Sequence, residues 1–138
     1  MEVIIQHVEN VKFRVIARDH QVTCDQPLEN SGTDAGMSPP EFLLASLGTC
    51  AGYYAAQYLR TRSLPTEGLE VRVSAEKATA PARLASFRIE ITTPNLDERH
   101  KEGVTRAVKA CLIHNTLLHP PVIETVLRTA DECVPSLR

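Results

Sequence analysis

One stretch of the sequence decides the fold: residues 38–63 read SPPEFLLASLGTCAGYYAAQYLRTRS. Ser38 can cap a helix, proline is tolerated in a first helical turn, and Glu41 stands where a capping box has its acid. Apolar residues then recur at helical spacing, and Pro65 disfavours helical geometry at the residue before it. We therefore predict a helix that begins at Ser38 and ends near Ser63.

The uncharged part of this stretch, Phe42 to Leu59, has to be considered as a membrane span. Its length is at the lower limit of the roughly 17–25 residues that a span needs. It also contains polar residues and glycines, namely Ser46, Gly48, Thr49, Gly52 and Gln57. A buried central helix is the better interpretation, and we expect no membrane contact.

The same helix is apolar around most of its circumference, so it should be surrounded on nearly all sides. One chain offers a single other helix and a few strands, which cover only one or two faces. A second copy of the helix, related by two-fold symmetry, would cover the rest, and this predicts a homodimer. Gly48 and Gly52 flank Cys50, and small residues at that spacing let another backbone approach closely. We expect them to contact the second copy.

The segments before this helix predict a meander of three strands. Val3–Val8 and Lys12–Ala17 are rich in β-branched residues and are separated by a turn-like Glu-Asn pair, and Gln21–Cys24 follows as a short third strand. Residues 25–37 contain proline, glycine and asparagine, which predict a loop.

The segments after the helix predict a hairpin, a second helix and a last strand. Leu69–Thr79 and Leu84–Thr93 alternate apolar and polar residues around an Ala-Pro-Ala turn. A helix begins near Asn95 or Asp97 and carries Cys111, and Val122–Leu127 reads as a strand after two prolines. The order β-β-β-α-β-β-α-β predicts an α+β fold with two cysteine-bearing helices, in a single domain over residues 1–138.

Composition excludes several classes of function. A formal net charge of -2 and a pI near 6.2 argue against nucleic-acid binding. The N-terminus has neither the basic start nor the apolar core of a secretion signal. Four widely spaced cysteines do not make a secreted disulfide scaffold, so we expect a cytoplasmic protein with free or redox-active thiols.

Two motifs carry a family resemblance. Residues 38–50, SPPEFLLASLGTC, lead from a Pro-Glu helix start through small and apolar residues to Cys50. Residues 107–117, AVKACLIHNTL, place Cys111 just before a short polar turn. Both motifs, and the order of elements over nearly the whole chain, resemble the OsmC/Ohr family (osmotically inducible protein C and organic hydroperoxide resistance protein), and most closely its general OsmC-like branch.

The resemblance implies a fold and a site. Two helices would cross the core of an intertwined homodimer, with Cys50 as the peroxidatic nucleophile and Cys111 as the resolving cysteine. An Arg–Glu pair would hold the first thiolate. Glu41 matches the Pro-Glu position, and Arg18 lies in an Ala-Arg-Asp-His turn that resembles the family's Arg-Asp-Gly turn, with Arg14 as the reserve candidate.

The chemistry asks for these residue types. Only the thiolate attacks a peroxide oxygen, and an ordinary cysteine has a pKa of about 8.5, which a nearby guanidinium lowers. Attack leaves a sulfenic acid, which a second thiol can convert to a disulfide. An external dithiol, of lipoyl or another type, would then reduce this disulfide. The partners are then a small-molecule hydroperoxide and a dithiol reductant, and no cofactor or metal is required.

Each candidate also has a purely structural interpretation. Cysteine is often buried as a small hydrophobe, so Cys50 and Cys111 could be inert core thiols, and Cys24 and Cys133 look structural. Glu41 is explained by the capping box alone, and Arg18 by its turn. Cys111 and His114 have a spacing seen in metal sites, but a zinc site needs three or four ligands. The alternative function is a non-catalytic protein that holds a small apolar ligand in the dimer groove.

Two positions depart from the hydroperoxide branch of the family. Glu41 lies nine residues before Cys50, one residue closer than in that branch, and one residue rotates a helical side chain by about 100 degrees. Leu112 follows Cys111 where that branch commonly has proline. Both departures bear on the role of the acid and on the choice of substrate.

Overall fold

The structure, a computed structural model, describes residues 1–129 and confirms the α+β class. Its strands are β1 (Ile4–Glu9), β2 (Lys12–Ala17), β3 (His20–Cys24), β4 (Glu70–Thr79) and β5 (Ala82–Thr92), and its helices are α1 (Pro39–Arg60), α2 (Glu98–Lys109) and α3 (Leu112–Leu118). A short 3-10 turn, Leu28–Asn30, lies in the loop before α1. The strands form two separate antiparallel sheets, β1-β2-β3 and β4-β5.

The start of α1 is the predicted capping box. Ser38 is the N-cap, and both its backbone N–H and its hydroxyl donate to Glu41 Oε2 at 2.7 Å. The hydroxyl of Ser38 holds the pKa of Glu41 below its usual value, because hydrogen bonds favour the charged carboxylate. The acid at this position therefore stabilises the helix start.

The core forms along one stripe of α1. Leu47, Ala51, Ala55 and Leu59 recur every four residues and are buried. The two alanines have no bulk beyond Cβ, so α2 packs closely and presents its buried valines, Val104 and Val108. Fully burying a leucine such as Leu59 contributes about 1.5–3 kcal/mol.

The β4–β5 hairpin covers a second side of α1. The registry pairs Val71 with Ile91 and Val73 with Ile89, which confirms the predicted alternation of apolar and polar residues. The two valines lie against the glycines of α1: a Cβ at Gly48 would be 2.9 Å from Val73 Cγ2, and one at Gly52 would be 3.5 Å from Val71 Cγ2. These glycines therefore contact the chain's own hairpin, and their contact with a second copy of the helix stays a prediction.

The N-terminal sheet lies apart from this core. Every residue of β1 is exposed, and among the described residues none of β1–β3 belongs to the core cluster of α1, α2 and the hairpin. Several apolar side chains of this sheet face solvent in the isolated chain, namely Ile4, Ile5, Val8 and Val22. A single chain thus leaves an apolar sheet without cover.

Asp25 organises the loop between β3 and α1. Its buried carboxylate accepts hydrogen bonds from the N–H groups of Gln26, Thr33 and Ala35 and from the Thr33 hydroxyl. The hydroxyl of Thr33 is the largest cause that lowers the pKa of Asp25 far below its usual range, and the backbone donors add to it. The loop is therefore held by a satisfied polar network.

Two predicted elements differ in the structure. The second predicted helix is two helices, because α2 ends at Lys109 and Cys111 has extended backbone angles (φ -58°, ψ 134°) and caps α3. Val122–Leu127 was predicted to be a strand but has no regular secondary structure. A strand needs a neighbour that pairs with its backbone, and residues 1–129 of one chain supply none for it. Its apolar side chains are exposed: Val122, Ile123, Val126 and Leu127.

The two glycines of α1 provide a matched test of this packing. Gly52→Ala should raise the free energy of unfolding by up to about 1 kcal/mol, because alanine favours the helix and the added methyl meets only an ordinary contact. Gly48→Ala should gain less or lose stability, because its methyl displaces Val73. Urea denaturation measures both.

The control is the double variant Gly48→Ala/Val73→Ala, in which the room for the methyl is restored and the clash disappears. Equal stabilisation by the two single alanines would contradict the packing.

Candidate active site

Cys50 is positioned by α1. It follows the buried Leu47 by about one helical turn and precedes Ala51, which is fully buried, so its thiol lies at the edge of the core. The side chain is half-buried and the thiol is free. A small molecule can therefore reach this sulfur without unfolding of the helix.

Cys111 is positioned by the break between α2 and α3. Its backbone N–H donates to Val108 O at 3.1 Å, which closes the end of α2. Its Sγ accepts from the N–H of His114 at 3.5 Å, so the sulfur caps the first turn of α3. The residue is 0% exposed. One short segment thus ends one helix, begins the next and buries a thiol.

The structure brings these two thiols together. Cys50 and Cys111 lie close enough to interact, although they are 61 residues apart in sequence. Burial raises the pKa of Cys111, and the neighbouring thiol of Cys50 raises it further. The pair is therefore unequal: one thiol is accessible, and the other is buried and held protonated.

Glu41 does not lie beside this pair within one chain. Nine residues of α-helix make about two and a half turns and rise about 13.5 Å, so Glu41 and Cys50 project from opposite sides of α1. The carboxylate of Glu41 is instead bonded to Ser38. Any role of Glu41 at the cysteine stays a prediction.

Arg18 is exposed in the turn between β2 and β3, with a left-handed backbone (φ 57°). Arg14 is also exposed, at the centre of β2. Within the described part of the chain, neither guanidinium makes a hydrogen bond or ion pair, and neither contacts Cys50. Both belong to the uncovered N-terminal sheet, so their proposed role at the thiolate stays a prediction.

A cavity of about 630 Å³ lies between α1, β5 and α3, and its wall includes Leu47 and His114, each three residues from one of the two cysteines. Its volume is in the range of small-molecule sites. His114 links the cavity to the thiol of Cys111, because it lines the cavity and its backbone N–H donates to Cys111 Sγ. Most of the wall is apolar, with Leu43, Leu47, Phe87, Ile89, Leu117 and Leu118. Two polar lining residues, Arg83 and Ser86, were not singled out from the sequence, because spacing along β5 does not reveal which tertiary cavity it borders.

The other candidate ligands do not converge. Within residues 1–129, no three histidine, cysteine or acidic side chains form a group that could hold a metal. His100 is hydrogen-bonded to the hydroxyl of Tyr58 at 3.3 Å. Cys24 is buried beside a separate apolar cavity near the start of α1, where burial raises its pKa, and Cys133 lies outside the described residues.

Among the described helices, none combines the length and the apolar character that a membrane span requires.

The sequence matches a family model, OsmC-like protein, over residues 32–126. The chain belongs to the OsmC-like family. The match includes both motif cysteines, Cys50 and Cys111, and begins after the N-terminal sheet. No curated protein sequence matches the chain.

Solved structures share the fold. An OsmC-like protein from Mycoplasma pneumoniae has 25% identity and a TM-score of 0.72, covering 86% of this chain and 87% of its own. A Psychrobacter arcticus protein with a suggested role in osmotic stress and detoxification has 20% identity and a TM-score of 0.76, covering 83% and 85%. An organic hydroperoxide resistance protein, OsmC, from Legionella pneumophila has 13% identity and a TM-score of 0.59, covering 85% and 89%.

The inequality of the two thiols predicts their labelling. In the reduced protein near neutral pH, iodoacetamide should alkylate Cys50 about tenfold or more faster than Cys111, because the thiolate is the nucleophile and Cys111 is buried. A raised pKa means less thiolate at any given pH, so the labelling rate of Cys111 should increase only when the pH is well above the ordinary cysteine pKa of about 8.5. Peptide mass spectrometry over a pH series measures both rates.

Urea-unfolded protein is the control, since all four cysteines should then react at similar rates. Faster labelling of Cys111 than of Cys50 in the folded protein would contradict the assignment.

Proposed function

We propose that this protein is a thiol-dependent peroxidase that reduces organic hydroperoxides and protects the cell against oxidative stress. The observation that carries the proposal is the neighbouring pair of Cys50 and Cys111, one half-buried and one buried, close to an apolar cavity. Family membership supports redox chemistry at these cysteines.

The proposed cycle begins at the accessible thiol. The Cys50 thiolate attacks the terminal peroxide oxygen, the O–O bond breaks, and the alkoxide takes a proton and leaves as an alcohol. Cys50 is then a sulfenic acid. Cys111 gives up its thiol proton and attacks the Cys50 sulfur, water leaves, and a disulfide joins the two residues. An external dithiol, of lipoyl or another type, reduces this disulfide by exchange and is itself oxidised.

The burial of Cys111 suits the second step. A buried, protonated thiol does not compete for peroxide and is protected from irreversible oxidation. Its interaction with Cys50 supports a disulfide that forms without a large movement of α1. An external dithiol can attack the Cys50 sulfur of the disulfide, because Cys50 is partly exposed.

The apolar cavity supports an organic substrate over hydrogen peroxide. Aliphatic and aromatic side chains from three elements line it, and hydrogen peroxide would make no use of them. An alkyl group bound there would bring its hydroperoxide toward Cys50, since Leu47 is on the wall about one turn before the cysteine. The Legionella pneumophila protein with this fold is described as an organic hydroperoxide resistance protein, a role that we extend to this chain as part of the proposal.

We further propose that the working form is an intertwined homodimer in the cytoplasm. The isolated chain leaves three apolar regions uncovered: exposed residues on both faces of the N-terminal sheet, the side of α1 around Tyr53, and the segment Val122–Leu127. A second copy can cover all three by symmetry. Apolar area of this extent is unusual on a monomer.

The alternative function, a non-catalytic protein that holds an apolar ligand, is favoured by the same cavity. A binding protein needs the cavity but makes no use of a close pair of unequal thiols. Loss of thiols on addition of hydroperoxide therefore separates the two functions, because only the enzyme consumes them.

One equivalent of tert-butyl hydroperoxide should remove two thiols per chain rapidly, with non-reducing peptide mapping showing a Cys50–Cys111 link. Cys50→Ser should abolish the reaction, because the nucleophile is lost. Cys111→Ser should reduce about one equivalent and then stop as a sulfenic or over-oxidised form. Cys24→Ser is the matched control and should behave as wild type. A disulfide to Cys24 or Cys133 in place of Cys111 would overturn the proposed cycle.

Arg18 should act across the dimer interface, because its sheet lies apart from the core of its own chain. In the Arg18→Ala homodimer, the pH midpoint of Cys50 alkylation should rise by about 1 unit or more, the effect of removing one nearby opposite charge. A heterodimer of an Arg18→Ala subunit and a Cys50→Ser subunit should keep the wild-type midpoint, since the second subunit supplies an intact Arg18. Sedimentation at falling concentration checks that the dimer persists.

Arg14→Ala is the control. If only that substitution raises the midpoint, the cation is Arg14, and if neither does, the electrostatic mechanism is wrong. A well-folded monomer at nanomolar concentration would refute the obligate dimer.

A further inference from the structure

The end of α1 and one side of α2 border a cleft of about 380 Å³, which we call the basic cleft. Its lining residues are Tyr58, Arg62, Gly103, Arg106, Ala107 and Ala110. Two of them are arginines, and among residues 1–129 no aspartate or glutamate lines the cleft. Neither Cys50 nor Cys111 borders it, so what it binds is a question separate from the proposed peroxidase function.

Arg62 is held in place through one of its nitrogens. Its guanidinium carbon is 3.7 Å from the centre of the Tyr58 ring, and its Nη1 donates to Tyr58 O at 3.3 Å and to Thr61 Oγ1 at 3.2 Å. Within the described part of the chain, its Nε and Nη2 make no hydrogen bond or ion pair. A guanidinium carries five N–H donors, so Arg62 can bind an anion and keep the contacts that orient it.

Arg106 lines the cleft from α2 and has one weak competitor. Its Nη2 is 3.7 Å from Glu102 Oε1, which is longer than a hydrogen bond, and both side chains are largely exposed. Exposed ion pairs of this kind contribute little free energy, so Arg106 can turn from Glu102 to a ligand at small cost. Glu102 itself does not line the cleft.

Small residues of α2 leave room in the cleft beside the arginines. Gly103 is required, because a Cβ there would overlap the hydroxyl oxygen of Tyr58, which is hydrogen-bonded to His100. Ala107 and Ala110 follow at helical spacing, so this wall has no side chain beyond a methyl group. The volume is at the lower end of the range of small-molecule sites, which leaves space for an organic group beside an anion.

We propose that the basic cleft binds a small organic phosphate, a phosphomonoester whose phosphate is held by Arg62 and Arg106 and whose organic group lies against the small residues of α2. Near neutral pH a phosphomonoester carries close to two negative charges and three strong acceptor oxygens. These match two guanidiniums, each of which can present paired N–H donors. A phosphodiester has only one charge and is the weaker ligand.

The test titrates three probes into the reduced full-length protein by calorimetry at a pH of about 7.5: phenyl phosphate, inorganic phosphate and the diester methyl phenyl phosphate. Wild type should bind phenyl phosphate most tightly. Arg106→Ala and Arg62→Gln should each weaken that binding about fivefold or more, the loss of one solvent-screened, charge-assisted contact, and Arg106→Glu should abolish it. Arg99→Ala is the matched control, because Arg99 is on α2, pairs with Asp97 at 3.3 Å and does not line the cleft. It should leave every affinity unchanged.

Each other outcome counts against the site. Absence of saturable phenyl phosphate binding to wild type, or equal affinity in Arg106→Ala, would refute it. Equal affinity for the diester would show that one charge suffices, and equal affinity for inorganic phosphate would show that no organic group is recognised. Arg62 also supports the end of α1, so thermal unfolding checks that Arg62→Gln is folded, and the exposed Arg106 gives the decisive result if it is not.

Discussion

The structure depends on one constraint: a 22-residue helix, α1, has apolar side chains on more sides than one neighbour can cover. Its buried stripe of leucine and alanine meets α2, and its glycines meet the β4–β5 hairpin. Alanine at the α2 contact and glycine at the hairpin contact allow both elements to come close, which fills the space that larger side chains would take. The side around Tyr53 stays exposed in one chain.

The geometry of the site follows from this packing. α2 ends at Lys109, the chain turns at Cys111 and restarts as α3, and this break places a buried sulfur near the half-buried Cys50. The same segment then forms one wall of the apolar cavity through Leu117 and Leu118. The thiol pair and this cavity wall thus both depend on one interruption between two helices.

Much of this architecture could be predicted from local patterns. The capping box at Ser38, the alternating hairpin and the start of the second helix near Asn95 or Asp97 each depend on interactions within a few residues or on one regular repeat, and the structure confirms them. The errors lie where the outcome depends on distant contacts. Gly48 and Gly52 do mark close packing, but spacing along a helix does not say whether a hairpin or another helix fills the gap.

The sequence by itself determined the class of fold, the long apolar helix and the two cysteines that family motifs single out, because periodicity, caps and motifs are properties of consecutive residues. Only the tertiary structure decided that Cys50 and Cys111 are neighbours, that one is half-buried and the other buried, and that Arg83 borders the cavity. These facts depend on how separate elements pack, and burial, pKa and proximity arise from contacts between residues that the sequence keeps far apart.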